Sequence, residues 1–194
     1  TGTYSENFNT LAATAGTGLG WSNGSTLTGW YLFTGGGTAI TAYAAGTGSG
    51  TAGSFYSFGG TGSADRAFGG LGSGGTYFGS PASGAVAGYM ALAATNGTGQ
   101  TLSEFTLSFD GEQWRNGGNA SLAAQSMVLQ YGFGVDFASV STWTAPGGNF
   151  TWTSTQNGAT AGAVDGNTIG LVSGRGGTVS GVTWETGSTL WIRW

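Results

Sequence analysis

The strongest constraint in this chain is a pattern of short apolar alternations, each cut off by a glycine-centred turn. Thr101–Asp110 (TLSEFTLSFD) places Phe105, Leu107 and Phe109 on one face of an extended backbone and Thr106, Ser108 and Asp110 on the other. Met127, Leu129, Tyr131 and Phe133 alternate in the same way with Val128, Gln130 and Gly132. Leu190, Ile192 and Trp194 alternate with Trp191 and Arg193. Shorter candidate strands are Tyr4–Phe8, Gly29–Phe33, Ser54–Phe58, Tyr77–Phe78, Gly88–Ala93, Phe150–Thr153, Thr168–Leu171 and Val179–Trp184. Turn pairs fall between and beside them: Asn23-Gly24, Asn96-Gly97, Asp110-Gly111, Asn116-Gly117, Pro146-Gly147, Asn157-Gly158 and Asp165-Gly166. Helical periodicity is nearly absent, and Ala120–Met127 is the best short helix candidate. About ten short strands joined by Gly-rich turns predict an all-β fold, an antiparallel β-sandwich of jelly-roll type. Gly35–Gly53 is the least core-like stretch and reads as a long surface loop or edge region.

Glycine supplies 42 of the 194 residues, a composition that could also signal a flexible linker. Eight Trp, seven Tyr and eleven Phe argue instead for a packed core, since each large buried side chain is worth roughly 1.5–3 kcal/mol. One sandwich domain over residues 1–194 is the expected organisation. No apolar run is long enough for a membrane-spanning helix.

The residues that are missing exclude whole classes of chemistry. There is no Cys, no His and no Lys, and the four basic residues are Arg66, Arg115, Arg175 and Arg193. A Ser-His-Asp triad, a cysteine nucleophile, a zinc finger, a haem site and a lysine Schiff base are therefore ruled out. Four cations on a chain of net charge −4 leave no electrostatic footprint for nucleic acid. A cysteine-free, Gly/Thr/Ser/Asn-rich and weakly acidic chain fits a secreted bacterial protein, located outside the cell or at its surface.

Several strings together resemble a known type of module: Tyr4-Ser5-Glu6-Asn7-Phe8, Gly29-Trp30-Tyr31, Tyr56-Ser57-Phe58-Gly59, Asp65-Arg66-Ala67, Gly111-Glu112-Gln113-Trp114-Arg115-Asn116 and Leu190-Trp191-Ile192-Arg193-Trp194. They are similar to an uncharacterised jelly-roll module of bacterial secreted and surface proteins, found beside autotransporter-type or sorting-signal segments. It is distantly like the laminin-G and MAM jelly rolls. The resemblance implies a fold and a location rather than an activity. Members usually continue past the Trp-Ile-Arg-Trp strand to a last strand that pairs with the first. On that basis the expected assembly edge comprises Tyr4, Glu6 and Phe8 with Leu190, Ile192 and Trp194, open to a strand from another chain.

Candidate sites are few. Asp110 and Glu112, two apart on a strand, would stand about 6–7 Å apart on one face, within reach of a glycosidase pair. Alternatively, Asp110-Gly111 is a turn and Glu112 pairs with Arg115. Gln113, Trp114, Arg115 and Asn116 combine a stacking ring with amide and guanidinium donors, which suits a glycan; alternatively, Trp114 is buried and Arg115 bridges strands. Asp65-Arg66 is a loop-holding ion pair or a ligand-facing one. Glu6, Asp136 and Asp165-Gly166-Asn167 could give oxygen ligands to calcium, though none forms a dense Asp-x-Asp run and no cofactor is otherwise implied. A row formed by Trp143, Trp152, Trp184, Trp191 and Trp194 would be a carbohydrate platform if it faced solvent. The four sequons, at Asn23, Asn96, Asn119 and Asn149, match chance in a Ser/Thr-rich chain.

The expected function is thus non-enzymatic: a structural or adhesive extracellular module, assembling with its own copies or with neighbouring surface proteins. A carbohydrate-binding module is the alternative, and a glycoside hydrolase using Asp110 and Glu112 is a more distant one.

Overall fold

The structure, a computed structural model, describes residues 2–73, 86–118 and 120–194. In chain order the strands are β1 (Gly16–Gly20), β2 (Trp30–Thr34), β3 (Ala42–Gly46), β4 (Ser54–Phe58), β5 (Ala67–Leu71), β6 (Gly88–Thr95) and β7 (Leu102–Glu112). They continue as β8 (Arg115–Asn116), β9 (Ser126–Val128), β10 (Gln130–Phe133), β11 (Thr151–Thr153), β12 (Gly162–Ala163), β13 (Leu171–Trp184) and β14 (Thr189–Arg193). The only helix among the described residues is a single 3-10 turn at Gly148–Phe150. The protein is all-β, as the alternation predicts.

The strands form two four-stranded sheets, β1-β3-β4-β5 and β10-β14-β6-β2, and three two-stranded ladders, β13-β7, β11-β9 and β12-β8. The arrangement is consistent with a β-sandwich. Its ladders do not establish a jelly-roll order, because β3 and β4 run parallel where a jelly roll is antiparallel.

The sheet β10-β14-β6-β2 is the central layer. Trp30, Leu32, Met90 and Leu92 on its inner face pack with Tyr43, Phe55 and Phe68 of the other four-stranded sheet. Further along that face, Leu190 and Ile192 meet Phe105 of β7 and Val179 of β13. Its outer face is covered as well. Phe33, Ala91 and Trp191 are buried there beneath Phe137 and Val140, with Phe137 stacked on Phe33 at 4.0 Å. Burial on both faces explains why Leu190-Trp191-Ile192 reads as a continuous apolar run.

The ribbon β7-β13 follows its sequence pattern closely. Phe105 is buried, Leu107 and Phe109 are half-buried, and Thr106, Ser108 and Asp110 are exposed. The Thr106 and Thr178 hydroxyls meet across the ladder at 2.8 Å on the wet face. Gly176 sits at φ 107°, and a Cβ there would stand 2.1 Å from the Leu107 carbonyl oxygen, so only glycine lets β13 lie against β7 at this point.

Several sequence expectations need correction. Gly35–Gly53 is no surface loop: it holds Ile40 and β3, with Tyr43, Ala44 and Ala45 all buried between β1 and β4. Its small apolar residues hid the strand. Tyr4–Phe8 forms no strand. Phe8 has φ 62°, and its ring packs edge-on against Trp30 at 5.0 Å. The Tyr4 hydroxyl donates to the Thr28 carbonyl and accepts from the Trp30 indole. Thr168–Leu171 is a turn closed on the Asp165 carbonyl, with β13 beginning only at Leu171. Ala120–Met127 is turn, irregular chain and the start of β9, not helix. The candidate strand Tyr77–Phe78 and the Asn119 sequon lie outside the described residues.

The expected assembly edge is also absent in the form anticipated. Leu190 and Ile192 lie on β14, which is paired on one side with β10 and on the other with β6. Trp194 exchanges backbone hydrogen bonds with Met90 and stacks on Trp30 at 5.8 Å. Glu6 accepts the Phe8 N–H and caps a local turn. Neither segment offers an open ladder to a partner strand.

Candidate functional site

The chain's most chemistry-rich string, Glu112–Asn116, begins at the end of β7 and crosses the outer face of the sheet β1-β3-β4-β5. Gly111 lies inside β7, so the strand runs straight through Asp110-Gly111 and no turn forms. A Cβ at Gly111 would lie 2.0 Å from the Trp152 ring, which sets the residue type there.

Trp114 is 5% exposed. Its ring lies parallel to Phe58 at 6.4 Å and packs with Ala44 and Tyr56. The backbone of Gly166 presses against the indole, where a Cβ would come within 2.4 Å. The indole N–H donates to Glu112 Oε2 at 2.8 Å. Of the two readings of Trp114, the structure shows the buried one, with Phe58 and the Gly166 backbone against the ring.

The neighbours of Trp114 are equally committed. Gln113 is buried; its amide donates to the Arg115 and Gln156 carbonyls and accepts the Gln156 N–H at 2.7 Å. The Thr155 hydroxyl also reaches Gln113 Oε1 at 3.3 Å, which uses the full bonding capacity of the amide. Arg115 donates to the Gly48 and Ser49 carbonyls rather than to Glu112. Asn116 ties down the loop after β11 through the Gly158 and Thr160 carbonyls. The string works as a staple, drawing β7, the Gly48 turn and the 155–160 segment together.

Asp65 and Arg66 arrive at the same place from the β4–β5 loop. Arg66 is 4% exposed and donates to the Ser57 hydroxyl, the Ser57 carbonyl and the Gly46 carbonyl. Burial lowers its pKa, against the raising effect of the Asp65 charge. Asp65 accepts the side-chain amide of Asn167 at 2.8 Å. Around this contact opens a shallow pocket of about 410 Å³, whose walls include Thr47, Thr61, Ser63, Trp114, Asp165 and Asn167. Asp65 and Glu112, distant in sequence, share one electrostatic neighbourhood. Thr47, Thr61 and Ser63 sit in Gly/Thr-rich stretches whose sequence carries no distinguishing pattern.

Glu112 is half-buried, and burial is the main cause that pushes its carboxyl above the usual range. The Trp114 hydrogen bond pulls it back down, and the charges of Asp65, Asp110 and Asp165 push it up again. Asp110 is exposed and accepts the Gly174 N–H at 2.7 Å.

The calcium candidates are not gathered at one point. Asp136 caps Ser139 and Asp165 caps Asn167, each in its own turn. Among the described residues no group of three or more acidic side chains is placed to hold a metal ion. The tryptophans form no exposed row: Trp152 and Trp191 are buried, and Trp143 lies 3.9 Å from the Arg193 guanidinium. The sequon residue Asn96 is 2% exposed and bonded to the Gln100 and Trp184 carbonyls, so it is closed to modification in the folded chain.

No family model, curated protein or solved structure matches the chain.

Proposed function

We propose that this chain is a non-catalytic extracellular module, a structural or adhesive building block of a bacterial surface protein. One observation carries the reading: the side chains best able to do chemistry are consumed by the fold. Gln113, Trp114 and Asn116 are bonded internally. The guanidiniums of Arg66, Arg115, Arg175 and Arg193 donate to neutral oxygens, namely backbone carbonyls, the Ser57 hydroxyl and the Gln130 amide. What faces outward is rich in hydroxyls and glycine. Such a surface meets other copies, neighbouring surface proteins or glycans through hydrogen bonds and packing, with little dependence on salt. No helix among the described residues is long and apolar enough to cross a membrane.

Beads coated with the purified chain test this on surfaces carrying bacterial wall material, host protein or polysaccharide. Adhesion that persists from about 0.1 M to about 1 M NaCl, without turnover of chromogenic glycosides, is the expected result, because screening at high salt removes charge-driven contacts. Absence of adhesion to every surface, together with only monomers in electron micrographs, would overturn the reading.

A second reading rests on Glu112, whose raised pKa beside the exposed Asp110 is what a glycosidase acid requires. Glycoside turnover that disappears in Glu112→Gln would favour it.

A further inference from the structure

A second groove, of about 330 Å³, runs along β10, and its walls include Tyr131, Phe133, Ser141, Thr142, Thr144 and Val182. No charged residue lines it. Strand β10 is the end strand of its sheet. On the outer side, the Tyr131 backbone exchanges both of its hydrogen bonds with Thr144, at 2.9 and 2.8 Å. Alternation along an antiparallel strand turns the N–H and C=O of Phe133 to that same outer side. The far wall is the bulge of β13, where the register shifts between Ser180 and Trp184 and Gly181 sits at φ 76°.

The groove differs from the Trp114 pocket in what its polar groups do. The side-chain hydroxyls of Tyr131, Ser141, Thr142 and Thr144 have no hydrogen-bond partner among the described residues. Ser141, Thr142 and Thr144 are exposed, and the Tyr131 and Phe133 rings are half-buried. Unspent hydroxyls beside aromatic rings, with no charge, suit a ligand that carries many hydroxyls, has apolar C–H faces and is itself uncharged. At the lower end of the roughly 300–1,000 Å³ typical of ligand pockets, the open groove fits a short stretch of a longer chain.

We propose that this groove binds a neutral polysaccharide, with the Tyr131 and Phe133 rings as the apolar wall and the hydroxyls of Tyr131, Ser141, Thr142 and Thr144 as its partners. The proposal rests on the adhesive reading and names its ligand class. An extended peptide adding a strand to β10 is the competing occupant. It is disfavoured because Thr144 already holds the Tyr131 backbone, and strand addition needs a run of free positions.

The test is titration of the full chain with dextran, mannan, cellohexaose and laminarihexaose. Polygalacturonate, heparin and an extended Thr/Val-rich peptide serve as comparisons. At least one neutral glycan binds, and its Kd changes less than about twofold between low and high salt. Thr142→Trp fills the groove and weakens that binding by about tenfold or more. Tyr131→Phe keeps the ring, removes one hydroxyl and weakens it roughly 2–10-fold. Ser141→Arg, on the exposed rim, is the second blocking variant should Thr142→Trp lower the melting temperature. Binding to no neutral glycan, to charged glycans alone, or to the peptide in their place overturns the proposal. So does a Kd unchanged by both blocking variants. Bead adhesion to protein surfaces that survives in those cases leaves the adhesive reading standing, whereas loss of all adhesion removes both.

Discussion

Trp114→Phe is the sharpest perturbation of the staple, because it keeps an aromatic ring against Phe58 and Gly166 while deleting the one indole N–H that serves Glu112. Glu112 is half-buried and its carboxyl already lies above the usual range because of burial. Losing the donor leaves a part-buried acceptor unpaired, at about 1–3 kcal/mol. The smaller ring leaves a gap beside Tyr56 and Gly166, adding about 1 kcal/mol at this scale of lost contact. A chain of this length loses about 2–4 °C of melting temperature per kcal/mol, so the two terms together predict a drop of roughly 4–16 °C. Trp114→Ala, which empties the site, should cost about 3–5 kcal/mol for the ring alone. Thermal unfolding followed by circular dichroism at pH 7 reads both variants. If Trp114→Phe and Trp114→Ala both melt within a degree of the parent chain, Trp114 is not the buried anchor described, and the reasoning fails.

Other consequences are open to the same instruments. Glu112→Gln keeps an acceptor for the indole and removes the ionisation that burial opposes. A carboxyl whose folded pKa is raised is protonated in the native state at pH values where the unfolded chain has already lost the proton, so rising pH through that window drains stability. Glu112→Gln is therefore more stable than the parent at pH 7, and the gap closes as pH falls into the ordinary carboxylate range; chemical denaturation across pH checks this. Gly176→Ala, with its Cβ 2.1 Å from the Leu107 oxygen, should cost clearly more than Gly174→Ala, which has positive φ but open space around it; the latter should cost about 1–2 kcal/mol. Arg193→Ala removes stacking on Tyr89 and Trp143 and the paired hydrogen bonds to Gln130. Hydrogen exchange should then show the 134–144 segment opening well before the sheet beneath it.

How much of this was legible depended on whether a residue's surroundings repeat its sequence pattern. The strand β7 was readable because one of its faces is wet, so Phe105, Leu107 and Phe109 stand out against Thr106 and Ser108. The strand β3 was not, because Ala44 and Ala45 are small and no polar residue marks an outer face. Tyr4–Phe8 looked like a strand because its aromatics alternate. Those rings instead answer to Trp30 and Phe68, and a left-handed Phe8 breaks the extended run. At the candidate site the residues were visible but their partners were not. No spacing rule foretells that Arg115 reaches Gly48, or that Gln113 reaches Gln156, since those contacts are set by how distant loops fold over one sheet. The β10 groove left no mark in the sequence for the same reason: Ser141 and Thr142 are ordinary hydroxyls until Gly181 and Phe133 are placed opposite them.

The Glu112–Asn116 string is spent on internal hydrogen bonds rather than held out to a ligand. Hydrogen exchange at the Trp114 indole N–H, followed by NMR, tests this most directly. A buried indole bonded to Glu112 exchanges only with global unfolding, at the slow rate of the core amides of β6 and β14. Exchange as fast as that of a solvent-facing tryptophan, with the fold intact, would show Trp114 open to ligand and contradict the account.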